Sequence, residues 1–202
     1  RLPDGELALA WYDRSRGNLM FSQSSAGSFL GVVPTLVDGE GPDGDDEDME
    51  PDDLGDVGAF PALMVEDSGR LHVTYVDATR DQLLYTVIGE GRAIEVVDSG
   101  LRGGAQESEE LLVGDDSNLM LLSDGTLQVV YQDASQHDII LRQRPADAGW
   151  LPPVIIAGDE ETYTGAYGFY LQQLQVSGEH VLLSYRIHTA EGLRDVVVLP
   201  VD

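Results

Sequence analysis

The chain has 202 residues, with 37 acidic side chains against 11 basic ones, all of them arginine, and a net charge of −26. That balance argues against nucleic acid and anionic lipid as partners, because phosphates are bound by cationic faces, and it suits cations, basic proteins or a saline medium. A hydrophobic share of 42% excludes a wholly disordered chain. No apolar run is long enough for a membrane helix, and the lack of cysteine excludes disulfides, thiolate metal sites and a cysteine nucleophile.

In chain order, residues 7–21 read as an alternating apolar strand, a turn at Asp13 and a second apolar run. Period-two alternation puts the apolar side chains on one face of a strand. The pattern recurs without gaps at 71–85 and 127–141, and more weakly at 181–193. It brings Asp13, Asp77, Asp133 and Ile187 into register, 64, 56 and 54 residues apart. Asp-Gly or Ser-Gly pairs at 4–5, 68–69, 124–125 and 177–178 precede the copies and mark hairpin turns. Further apolar runs lie upstream at 61–65 and 118–122 and downstream at 93–97 and 153–156.

One unit is therefore strand, tight turn, strand, short loop, strand, loop, strand. A lone four-stranded sheet leaves both faces partly wet, and stacking successive sheets buries them. The predicted fold is all-β: a β-propeller of about four antiparallel four-stranded blades, at residues 1–40, 57–100, 112–158 and 166–202, with a β-sandwich as the alternative. Copy one starts at its second strand and copy four stops after its third. This predicts an incomplete or split ring, whose remaining blades belong to another chain or to the same protein.

Between the first two copies, 11 of the 19 residues from 38 to 56 are acidic and none is basic. Hard cations want several carboxylate oxygens, so Asp43, Asp45, Glu47, Asp48, Glu50, Asp52 and Asp53 are candidate Ca²⁺ ligands. The spacing is not that of an EF-hand. A solvated, self-repelling loop or a docking site for a basic partner accounts for the same run.

Asp13, Asp77 and Asp133 each follow a repeated strand, where a short carboxylate can accept backbone N–H bonds as a structural turn cap. One ligand site per blade is the alternative. Residues 162–170 form the aromatic cluster, at the entry to an inner strand, where propeller loops face the channel. Tyr163, Tyr167 and Tyr170 are candidates to stack on a sugar or clamp a peptide; packing between blades is the alternative. His72, His137, His180 and His188 show no metal spacing. Neither a nucleophile elbow nor a phosphate loop is present, and no catalytic residue is assigned.

The segment Leu-His-Val-Thr-Tyr-Val-Asp77-Ala-Thr-Arg-Asp-Gln-Leu-Leu-Tyr85 resembles the blade repeats of bacterial secreted β-propeller proteins, in the wider sialidase-like propeller group. The resemblance runs over nearly the whole chain and implies architecture, not activity. The sialidase Asp-box is not present, and the arginine triad and tyrosine–glutamate pair of that chemistry find no matching positions.

The resulting expectation is a non-catalytic binding or scaffold propeller, secreted, periplasmic or cell-surface. It would be stabilised by Ca²⁺ and partnered by another protein chain or by further blades, with a glycan or peptide as ligand. The alternative is a glycan-processing hydrolase or lyase working on the channel face. That needs converging carboxylates, for which Asp115, Asp116, Asp159, Glu160 and Glu161 lie nearby in copy order.

Overall fold

A computed structural model describes residues 1–39, 55–89, 91, 93–102, 109–158, 166–176, 179–188 and 193–200. These residues form strands, turns and bends, with no helix. Blade 1 is β1 (Ala8–Asp13), β2 (Asn18–Gln23) and β3 (Thr35–Asp38). Blade 2 is β4 (Val57–Val65), β5 (Leu71–Asp77), β6 (Gln82–Ile88) and β7 (Glu95–Asp98). A small hairpin, β8 (Leu101–Arg102) with β9 (Glu109–Glu110), precedes blade 3, which is β10 (Val113–Leu121), β11 (Leu127–Asp133), β12 (Asp138–Arg144) and β13 (Val154–Ala157). Blade 4 is β14 (Ala166–Val176), β15 (Glu179–His188) and β16 (Leu193–Pro200).

Every blade is an antiparallel meander of consecutive strands, the construction of a propeller blade. Blades 1 and 4 have three strands among the described residues, blade 1 without an inner strand and blade 4 without a fourth, as the repeat alignment predicts. The first strand of blade 3 contacts those of blades 2 and 4, so the three line the axial side. The β8–β9 hairpin has no counterpart in the sequence reading.

The core lies between sheets. Leu19 of blade 1 meets Val73 and Tyr75 of blade 2. Leu83, Tyr85 and Val97 of blade 2 meet Val129, Tyr131 and Ile140 of blade 3. Val130, Ile139 and Leu141 of blade 3 meet Tyr167, Leu171 and Leu182 of blade 4. Blades 2 and 3 thus each bury one apolar face against the preceding blade and the other against the following one, which is why β5 and β11 are buried along their whole length.

Polar clamps fix these joints. Tyr75 Oη donates to Asp38 Oδ2 at 2.7 Å, from the second strand of blade 2 to the end of the outer strand of blade 1. Tyr131 Oη makes the equivalent bond to Asp98, whose carboxylate also takes both guanidinium nitrogens of Arg102 at 2.8 Å and the Gly100 N–H at 3.0 Å. Burial pushes the Asp98 carboxyl up, but the Arg102, Tyr131 and Gly100 hydrogen bonds outweigh it and hold the group below its ordinary range.

The third joint is built differently. Register puts Ala157 where Asp38 and Asp98 stand. Asn118↔Val130 in blade 3 corresponds to Gln172↔Leu183 in blade 4. The fourth repeat is therefore displaced by one residue from the alignment through Ile187: Ser184, not Tyr185, takes the place of Tyr131. A one-residue slip exchanges the two faces of a strand, so Leu182 faces blade 3 and Tyr185 faces away. The polar bonding of this joint lies instead at the level of His72 in blade 2, where Gln143 Nε2 donates to Gln128, Gln128 Nε2 to Gln173, and Gln173 Nε2 to the Asn118 carbonyl, at 2.9, 2.7 and 2.8 Å.

At the lower end of the second joint, buried His72 bridges Tyr85 Oη and Glu66 Oε1, both at 2.6 Å. Trp150 packs edge-on to Tyr85, and its Nε1 donates to Glu95. Burial holds the His72 imidazole below its usual range, partly opposed by Glu66. The folded state therefore prefers neutral His72, whereas the unfolded chain takes up this proton near pH 6.5. Stability is expected to decline as pH falls below about 6.5. The melting temperature of His72→Gln should fall less steeply between pH 7 and 5 than that of the parent.

Inner-strand glycines set the blade spacing. An added Cβ on Gly58 (φ +101°) would lie 2.7 Å from the Leu19 backbone. Gly58→Ala is expected to cost about 1–3 kcal/mol in urea titration. Gly149→Ala, with open space around its Cβ position, should leave the midpoint nearly unchanged.

Candidate functional site

Each inner strand bulges twice at the same places: between Val57/Ala59 and Ala59/Ala62, between Val113/Asp115 and Asp115/Asn118, and between Ala166/Phe169 and Phe169/Gln172. A bulge adds an unpaired residue and re-aims its side chain. In every strand a glycine with φ between +94° and +104° opens the irregularity, at Gly58, Gly114 and Gly168. Two residues later Phe60, Asp116 and Tyr170 stand at φ +49°, +50° and +53°. Positive φ in a bulky residue is an uncommon, strained conformation, and here it recurs at one position in three successive blades.

These three residues converge on an axial pocket of about 320 Å³, lined by the equivalent stretches of β4, β10 and β14. Phe60 is 51% exposed and Tyr170 is 73% exposed. The Tyr170 N–H donates to Asp116 Oδ2 at 3.0 Å, tying blade 4 to blade 3 across the pocket. Ser117, held at 2.8 Å by Thr74 Oγ1, and Asn118, which accepts the Gln173 N–H at 3.1 Å, complete a polar floor. Among the described residues lining the pocket, Asp116 is the carboxylate. Neighbouring Asp115 is outside the lining, and its carboxyl is pushed up by burial, then by the charges of Asp116 and Asp81.

The pocket thus combines two exposed aromatic rings, a carboxylate, a hydroxyl and amide groups. Such a surface stacks on the face of a sugar ring and hydrogen-bonds its hydroxyls. Cleavage of a glycosidic bond would need a second carboxyl group within about 5–10 Å.

The sequence candidates distribute as follows. Tyr170 lies in the pocket. Tyr167 is buried between blades 3 and 4, where Arg186 donates to its Oη at 3.2 Å. Tyr163 lies outside the described residues, as do Asp43, Asp45, Glu47, Asp48, Glu50, Asp52 and Asp53, together with Asp159, Glu160 and Glu161. Among the described residues no group of three or more His, Asp or Glu is placed to hold a metal ion.

Asp77 Oδ1 accepts the N–H groups of Thr79 and Arg80 at 3.0 and 3.1 Å, and Asp133 Oδ1 accepts those of Ser135 and Gln136 at 3.0 and 2.9 Å. Asp13 Oδ1 accepts the Ser15 N–H at 3.1 Å. The turns they cap hold the blades' inner strands at their starts: Ala78 and Ala134 donate to the carbonyls of Asp56 and Leu112, and Thr79 and Ser135 accept the returning N–H groups. Phe60 went unselected from sequence, and Asp116 stood only among carboxylates near the cluster. The usable signal was the glycine aligned in Val-Gly-Ala-Phe, Val-Gly-Asp-Asp and Tyr-Gly-Phe-Tyr.

No protein-family model matches the sequence, and no curated protein matches it. Solved structures do share its fold. The catalytic domain of the Coprinopsis cinerea GH62 α-L-arabinofuranosidase superposes with a TM-score of 0.55 at 15% identity, over 96% of this chain and 59% of that one. A GH62 hydrolase crystallised with xylotriose gives 0.57 at 13% identity, over 98% and 62%. The Cellvibrio cellulosa α-L-arabinanase gives 0.53 at 9% identity, over 92% and 65%. The chain therefore spans about three fifths of the length of these propellers, and at such identities the likeness is one of fold.

The charge at the pocket rim has a measurable consequence. Because the folded state disfavours ionised Asp115, the penalty is present at neutral pH and disappears below the unfolded value of about 3.9. Asp115→Asn is expected to raise the melting temperature at pH 7 and to give no gain at about pH 3.5.

Proposed function

We infer that this propeller is a glycan-recognising protein whose axial pocket holds a short oligosaccharide. Phe60 and Tyr170 stack on successive sugar rings, while Asp116, Ser117 and Asn118 bind hydroxyl groups. The observation that carries the reading is the repeated strained bulge, which turns two aromatic rings and a carboxylate into one axial pocket. That an arabinofuranosidase, an arabinanase and a hydrolase crystallised with xylotriose share this fold supports a glycan over a peptide as the ligand. On this reading the protein works outside the cytoplasm, where polysaccharide is met, and its acidity plays no part in choosing a neutral ligand.

A hydrolytic reading has one specific observation in its favour. Asp115 and Asp116 are adjacent carboxyls in different surroundings, one pushed towards its protonated form by burial and the other lining the pocket. Glycoside cleavage uses an acid and a carboxylate on either side of the scissile bond, so this reading requires Asp115, outside the lining here, to turn into the pocket.

Calorimetric titration with arabino- and xylo-oligosaccharides tests both readings. Binding is expected, and Tyr170→Ala and Phe60→Ala should each raise Kd by about tenfold, or ~1.4 kcal/mol. Absence of binding across the panel, or binding that neither substitution weakens, overturns the glycan assignment. Release of reducing sugar that disappears in Asp116→Asn supports hydrolysis; binding without release confines the protein to recognition.

A further inference from the structure

Among the described residues the outer faces of blades 1 and 4 are open and apolar, and they are the two halves of one blade-to-blade joint. In the internal joints the far side of a blade offers third-strand residues to its successor, Leu83 and Tyr85 in blade 2 and Ile139 and Leu141 in blade 3, all buried. The register matches Val196 and Val198 of blade 4 to these positions. They remain apolar, yet stand 55% and 59% exposed. The near side of blade 1 repeats the other half. Leu7, Leu9 and Trp11 align with Leu71, Val73 and Tyr75, which blade 1 seals; here Leu9 is 48% exposed.

Two further features name the occupant. The second strands β5, β11 and β15 each pair with a strand on their axial side, whereas among the described residues β1 pairs with β2 alone and its axial edge carries no partner strand. A free edge is a template for strand addition. In blade 3 the connection between the third and fourth strands reaches back over blade 2, carrying Trp150 to 5.7 Å from the Tyr85 ring. The same connection in blade 1 carries Leu30 and Val33, both exposed, with no blade beneath them.

We propose that the two end faces are docking surfaces for further β-blades of this construction. One seats its inner strand on Val196 and Val198, with a glycine at the contact as in the internal joints. One adds a strand along β1 and lies under Leu30 and Val33. Continuity with three joints already formed in this chain selects a blade over an unrelated apolar ligand, and the greater length of the fold neighbours leaves room for it.

The cysteine-free chain makes the test direct. Leu9→Cys and Val198→Cys are produced in the organism that makes the protein, with Asp147→Cys, in an exposed turn, as the reference. The native protein is labelled with maleimide, and with benzophenone-maleimide followed by illumination. At least tenfold slower labelling at positions 9 and 198 than at 147 is expected, with photo-crosslinks to peptides outside residues 1–202 that carry the apolar-Gly inner-strand pattern. Labelling as fast as at 147 overturns the proposal. So does a crosslink from position 198 to residues 1–39 of a second copy, which identifies head-to-tail self-assembly instead.

Discussion

The distance between neighbouring blades is set by three glycines, and the rest of the molecule follows from it. Gly58, Gly114 and Gly168 lie where an inner strand crosses the preceding blade, and a Cβ on any of them would meet Leu19, Leu83 or Gln132 at 2.7, 3.0 and 2.8 Å. Their positive φ values are readily reached only without a side chain. Because the strand can come this close, the apolar faces interdigitate and bury Leu19, Leu83 and Val129 completely. The backbone direction that the glycine imposes then throws the strand into the bulge that aims Phe60, Asp116 and Tyr170 at the axis. Packing distance and pocket composition are two outcomes of one backbone choice.

The joints add specificity to that packing. A buried tyrosine hydroxyl beside a half-buried (Asp38) or buried (Asp98) aspartate would be costly unpaired, and together the two groups satisfy one another. The first two joints use this pair. The third drops both members at once, Ala157 standing for the aspartate and Ser184 for the tyrosine, and runs a chain of glutamine amides at the level of His72 instead. Losing only one partner would have stranded a polar group inside the stack. In the third joint both are absent together, and in the first two the bonded partners are 37 and 33 residues apart in the chain.

Much of the fold was legible because it rests on periodicity. Alternating runs such as 71–77 and 127–133, bounded by Asp-Gly or Ser-Gly, give strands and hairpins almost directly, and repetition of the unit gives the stack. The fourth blade shows where this stops. Matching Tyr185 to Tyr131 is the natural letter-by-letter choice, but burial of Leu182 against blade 3 decides the face and moves the register by one. The pocket was harder still. Its three residues are an aromatic, an acid and an aromatic, so similarity of side chains could not reveal them; they are alike only in backbone angle. Tyr170 was visible through its cluster, whereas Tyr167, three residues earlier, belongs to the core between blades. The acidic run, the most conspicuous feature of the composition, lies mostly outside the described residues.

The bulge also separates shape from chemistry at the axis. Its conformation is dictated by the preceding glycine and by the pairing on either side, so the side chain at its crest is free to vary while the frame stays constant. Blades 2, 3 and 4 already fill that crest with benzyl, carboxymethyl and hydroxybenzyl groups. A propeller built this way is a rack of interchangeable fittings: a new ligand can be accommodated by rewriting one letter per blade, without renegotiating the core beneath.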